Sequence, residues 1–184
     1  MTKKSLILSA VLSFGVAQLG APSAHASASI FGSGLGKECY DETVLGASSR
    51  RTVDLCTKAI ESGTLVASDL PATYVNRGII LMRMKDFNAA IADYKRALSY
   101  IPNLAEAQVN MGAALIGLGQ YGAAIEQIKL SLKNELMTPH IAYYNLGLAH
   151  EIMAGRAAGQ PYFLKAIELA PEWAPALRKL SAAP

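Results

Sequence analysis

A chain of 184 residues, 52% apolar and only 17% charged, is long enough for one continuous core and too apolar for wholesale disorder. Its formal charge of +3 includes Lys3 and Lys4 at the extreme N-terminus, and no basic stripe of the kind that tracks a phosphate backbone runs through the rest. Nucleic-acid binding is therefore not expected.

Lys3-Lys4 precede an apolar run from Leu6 to Leu19, then Gly20-Ala21-Pro22 and Ala24-His25-Ala26. A basic start, an apolar middle and two small residues flanking one other make up an export signal with its cleavage site. The run is shorter than the roughly 20 apolar residues that span a bilayer, so no stable membrane span is expected after processing. Residues 1–26 read as a signal peptide, cut after Ala26 or, by the same small-residue rule, after Ala28; the mature protein reads as periplasmic or secreted. Residues 27–36 read as a flexible lead-in, because their alternating glycines lack the preceding strand that a phosphate-binding loop needs.

Cys39 and Cys56 are the only two cysteines, and export would place them where a pair oxidises. Between them lie a helical stretch from Tyr40 to Leu45, the breaker run Gly46-Ala47-Ser48-Ser49, and a second helical stretch from Arg50 to about Ser62, closed by Gly63. A bend around Ala47 and Ser48 sets the two cysteines level in an antiparallel hairpin, the geometry a disulfide needs. Closing such a loop stabilises the hairpin by about 3 kcal/mol in the chain-entropy model. A redox pair would more often be a Cys-x-x-Cys, so a structural staple is expected.

From residue 71 a period emerges. Tyr74, Gly78, Leu81, Phe87, Ala90, Tyr94, Ala97 and Pro102 are followed 34 residues on by Gln108, Gly112, Leu115, Tyr121, Ala124, Ile128, Ser131 and Leu136. A third copy falls on pattern only if it starts at His140, with Tyr143, Leu146, Gly147, Phe163, Ala166 and Pro171, so one residue is inserted before it. A helical hairpin per repeat fits this spacing.

These residues resemble the tetratricopeptide repeat family. The first copy departs from the family pattern mainly at Arg77, the second at Leu136 where proline is usual, and Arg50–Gly63 looks like the second helix of an earlier, degenerate repeat. The resemblance implies an all-α fold, a right-handed superhelical solenoid of antiparallel helix pairs. It would comprise a degenerate hairpin over 37–63, repeats at 71–104, 105–138 and 140–173, and a short capping helix within 174–184.

Local signals set finer expectations. Gly78 with Ala90, Gly112 with Ala124 and Gly147 with Gly159 let the two helices of each hairpin approach closely, while Tyr74, Phe87, Tyr94, Tyr121 and Phe163 fill the space between helices. Asn103 with Glu106 reads as an N-cap, as does Thr138 before Pro139. Pro161 would have to lie in a first turn, which predicts a second helix of the last repeat that begins late, near Ala158 to Gln160.

Candidate chemistry is sparse. His140 and His150 have no metal-ligand spacing, carboxylates such as Asp93 beside Arg96 read as exposed pairs, and no nucleophile has a recognisable setting. No catalytic residue, cofactor or metal site is expected, and the chain does not read as an enzyme.

What remains is the concave face. The resemblance implies a groove lined by Val75, Ile79, Met82 and Arg83, then Glu106, Val109, Ala113 and Ile116, then Tyr144, Leu148, Glu151 and Ile152. One branch of the family clamps peptide carboxylates there; Asn110 matches that clamp, whereas Val75, Ile141 and Asn145 stand where basic residues would be expected. A largely apolar groove suits a protein or peptide partner, or the chain's own lead-in around Ile30 and Phe31. The alternative is a structural cell-envelope protein that self-associates.

Overall fold

A computed structural model describes residues 34–181. The signal-peptide reading and most of the lead-in lie outside the described residues. Within them the chain forms α1 (Leu35–Val44), α2 (Arg50–Glu61), α3 (Asp69–Arg83), α4 (Phe87–Tyr100), α5 (Ala105–Gly117), α6 (Tyr121–Lys133), α7 (Pro139–Ala154), α8 (Arg156–Leu169) and α9 (Ala174–Ser181). Each of α3/α4, α5/α6 and α7/α8 packs as a hairpin, and the hairpins stack in chain order. Their first helices sit side by side, α1 on α3, α3 on α5 and α5 on α7, with α9 laid against α8. The architecture is an all-α repeat solenoid.

The hairpins close where the sequence places glycine. A methyl group added at Gly78 would lie 2.5 Å from the Tyr94 ring, and one at Gly147 would lie 2.5 Å from the ring of Phe163. At Gly112 the corresponding obstacle is Ile128. The sequence pairs each of these glycines with a small residue, but the nearest side chain is the bulky one a turn further on. Glycine makes room for a large side chain from the second helix, which raises the apolar area buried per hairpin.

Two apolar clusters result, joined through α5. Ala107, Met111, Ala113 and Ala114 pack toward α1–α4, while Ala105, Val109 and Ile116 pack toward α6–α9. Tyr94 and Phe163 are fully buried, and Tyr74, Phe87 and Tyr121 pack on the clusters from the edge. At the N-terminal end Cys39 and Cys56 form a disulfide with a Cα–Cα distance of 5.0 Å, which ties α1 to α2 inside the core.

Four local expectations need correction. The residue before α5 is Leu104, not Asn103, and no side chain caps that helix; Thr138 does precede α7, but its hydroxyl makes no cap bond. Helix α8 starts early, at Arg156, with Pro161 inside it. The proline deprives only the Ala157 carbonyl of an intrahelical donor, and Ala157 is exposed, so water can satisfy it. Asp93 is buried and turned inward to Arg77 rather than paired with Arg96, whose guanidinium lies 5.3 Å from the Tyr100 ring centre.

Candidate functional site on the concave face

The glycine facing the second helix gives each first helix a reference direction. At about 100° per residue, the side chain two positions earlier points some 160° away, toward the inner side of the stack. That position is Asn76 in α3, Asn110 in α5 and Asn145 in α7, and all three are fully buried. Of the three, Asn110 matches the family's carboxylate clamp, Asn145 stands where that clamp has a basic residue, and Asn76 has no counterpart among the residues the resemblance implies. The signal available was their shared offset from Gly78, Gly112 and Gly147.

Neither the oxygen nor the nitrogen of the Asn145 amide has a hydrogen-bond partner. An unsatisfied buried polar group costs about 1–3 kcal/mol, which makes this position costly unless a ligand or a buried water completes it. Ile141, Tyr144 and Leu148 surround it on the same helix and are almost wholly buried, while Ile152, one turn beyond Leu148, is 45% exposed.

The other residues implied for the groove divide by chemistry. Val75, Ile79, Met82, Val109, Ala113 and Ile116 are buried in the apolar clusters. Arg83 donates from Nη1 to the carbonyls of Thr43 at 2.7 Å and Ala47 at 3.3 Å, closing the C-terminal end of α1 where helix carbonyls lack internal donors. Glu151 accepts from Lys179 Nζ at 2.6 Å and so ties α7 to α9. Glu106 is partly exposed in the first turn of α5, where a carboxylate complements the helix dipole.

Around the last repeat, Tyr144 lies 5.6 Å from the Phe163 ring and 5.0 Å edge-on from Trp173, which also meets His140 at 5.0 Å. Burial pushes the Tyr144 hydroxyl's pKa up and that of His140 down. His150 stacks on Tyr162 with centroids 4.6 Å apart. Both histidines therefore serve aromatic packing, and among the described residues no group of three or more His, Cys, Asp or Glu side chains converges as a metal site. No described helix is long and apolar enough to cross a membrane. A separate open cleft of about 720 Å³ between α1 and α2 is lined by charges of both signs, among them Glu38, Asp41, Arg51 and Lys58, and it does not meet the asparagine row.

Comparison with known proteins adds the following. The tetratricopeptide repeat profile matches residues 71–104, and a second tetratricopeptide repeat profile matches residues 140–172. No curated protein matches the sequence. Among solved structures, MamA is similar at 19% identity over 82% of each chain with a TM-score of 0.61. MamA from Desulfovibrio magneticus RS-1 is similar at 21% identity over 80% of this chain and 82% of that one, TM-score 0.61. YrrB, described as a TPR protein with an unusual peptide-binding site, is similar at 20% identity over 80% of this chain and 75% of its own, TM-score 0.60. At these identities the likeness is one of fold.

Proposed function

We propose that this chain, a tetratricopeptide repeat protein, is an exported interaction scaffold that binds an extended segment of a protein partner along its concave face, with no catalytic step of its own. The observation that carries the reading is the buried Asn145 amide, in register with Asn76 and Asn110 and lacking any partner of its own. A primary amide both donates and accepts, so it can bond a peptide backbone regardless of sequence. The apolar side chains beside it would then supply affinity by excluding water. Engagement starts at the third repeat, where Ile152 is exposed next to the buried patch.

Export agrees with the leader, and the buried disulfide between Cys39 and Cys56 suits an oxidising compartment. A peptide-binding site is named for YrrB, and peptide binding is the use proposed here. Selection of random extended peptides on the full chain, followed by affinity measurement on Asn145→Ala, tests the reading. At least a tenfold loss, about 1.4 kcal/mol, is expected with the thermal midpoint retained; unchanged affinity would reject it.

A second reading, self-association, draws on the exposed Ile152, Met153, Leu164, Leu169 and Leu177 in the last three helices. Light scattering over a concentration series separates the two: a mass that stays at one chain rejects self-association.

A further inference from the structure

We infer that helix α9 of one copy of this chain seats in the cleft between α1 and α2 of a second copy, so that copies join end to end. The inference rests on the self-association reading and names the surfaces that carry it. Inside the solenoid each first helix has the preceding hairpin against it: α3 meets α1 and α2, α5 meets α3 and α4, and α7 meets α5 and α6. No described helix precedes α1, and there the cleft of about 720 Å³ opens. Tyr40 and Thr43 of α1 and Val53 and Cys56 of α2 face the core, whereas Glu38, Glu42, Asp54 and Leu55 line the cleft. Phased at about 100° per residue, the cleft residues lie on the sides of both helices turned away from the core, and hence away from α3.

The lining combines two leucines with an excess of negative charge, four carboxylates against two cations. Asp41 is held by Lys37, but Glu38, Glu42 and Asp54 are exposed and form no ion pair among the described residues. Leu35 is 36% exposed and Leu55 is half-buried, and neither belongs to an apolar cluster of the core. A short helix with an apolar side chain and a cation on one face is the guest that such a cleft accepts.

Helix α9 has that chemistry. It carries Arg178 and Lys179 and no acidic residue. Lys179 is engaged with Glu151 of α7, whereas Arg178 is exposed and in no ion pair among the described residues. Ala174, Leu177, Arg178 and Ser181 are exposed at i, i+3, i+4 and i+7, one face of the helix. The other face is fixed by Ala176 in the core and by Lys179, so the outer one is presented in a set orientation. The eight residues of α9 span about 12 Å and lie within the roughly 15 Å of α1. Leu177 then meets Leu35 and Leu55, and Arg178 meets the unpaired carboxylates. Because the cleft and α9 stand at opposite ends of the stack, the joint is heterologous and each copy keeps one end open for the next. One two-turn helix falls short of the roughly 1,200 Å² that a stable pair buries, so the joint is weak and reversible.

The test measures mass by light scattering over a concentration series of the exported chain, with two blocked variants. Leu177→Asp blocks α9 and Leu55→Asp blocks the cleft; both should keep the wild-type thermal midpoint, since neither leucine packs in a core cluster. The wild-type mass should rise past that of two chains at about 0.05 M salt and fall back at about 0.5 M, where the charges are screened. Each variant alone should stay at one chain. Their equimolar mixture should reach twice that mass and stop, because one intact cleft meets one intact α9 while the two altered ends oppose aspartate to aspartate. Arg178→Glu, which removes no packing, should lower association as Leu177→Asp does. A mixture that stays at one chain overturns the proposal. Association that persists in both variants also overturns it while leaving self-association standing, and a wild-type mass of one chain throughout rejects both and leaves the cleft to another occupant.

Discussion

The guanidinium of Arg77 grips the carboxylate of Asp93 at two points, Nε to Oδ2 at 2.8 Å and Nη2 to Oδ1 at 2.7 Å, across the α3/α4 hairpin. A third bond, Nη1 to Thr57 Oγ1 at 2.9 Å, extends the grip to α2. Arg77 thus links the degenerate hairpin to the first full repeat at the position where it departs from the family pattern. The Asp93 hydrogen bond raises the pKa of Arg77 against the opposing effect of burial. Substitution Arg77→Leu strands a buried carboxylate, and a loss of about 3–5 kcal/mol is expected. The double variant with Asp93→Leu should regain most of it. Denaturant unfolding of the two variants checks both statements; equal losses would mean that the stranded charge is not the cause.

Tyr94 is fully buried with its hydroxyl unbonded, and burial holds that phenol well above its ordinary pKa. The ring is needed against Gly78, but the oxygen is not. Tyr94→Phe should therefore leave stability unchanged or raise it by about 1 kcal/mol. A destabilised Tyr94→Phe protein would show that the hydroxyl has a partner such as a bound water.

Reduction of the Cys39–Cys56 disulfide, or Cys39→Ser with Cys56→Ser, should cost about 3 kcal/mol. For a domain of this size that corresponds to a fall of roughly 6–12 °C in thermal midpoint. Because α1 packs on α3, hydrogen exchange should rise in α3 as well as in α1 and α2. Protection lost only in α1 would contradict that coupling.

His140 meets Trp173 edge-on, and burial lowers its pKa from 6.5. Its contribution is fully present above about pH 6.5, where both folded and unfolded chains hold it neutral. As pH falls below that value the unfolded chain takes up the proton first, and stability declines until the folded-state pKa is passed. Thermal midpoints between about pH 7 and 5 should show this decline, and His140→Gln should flatten it. An identical slope in the variant would assign the effect elsewhere.

The repeat spacing and the glycine–aromatic alternation made the hairpin stack legible in the sequence, because they are conditions for two helices to touch. Features set by a third element were not legible. Asp93 has Arg96 one turn away on its own helix, and only the docking of α3 shows that it turns inward. Arg83 and Glu151 read as groove charges until α1 and α9 are in place to receive them. Pro161 predicts a late helix start from sequence because the exposure of the Ala157 carbonyl is a tertiary fact. The asparagine row was visible in principle, since its members share one offset from the repeat glycine.

The central claim is that partners bind the concave face at the third repeat. A photocrosslinking residue placed at Ile152, at the exposed end of that face, and in a second variant at the exposed Leu130 of α6 tests it directly. Adducts with a partner protein from Ile152, and none from Leu130, are the expected result; adducts from Leu130 with none from Ile152 would contradict the claim.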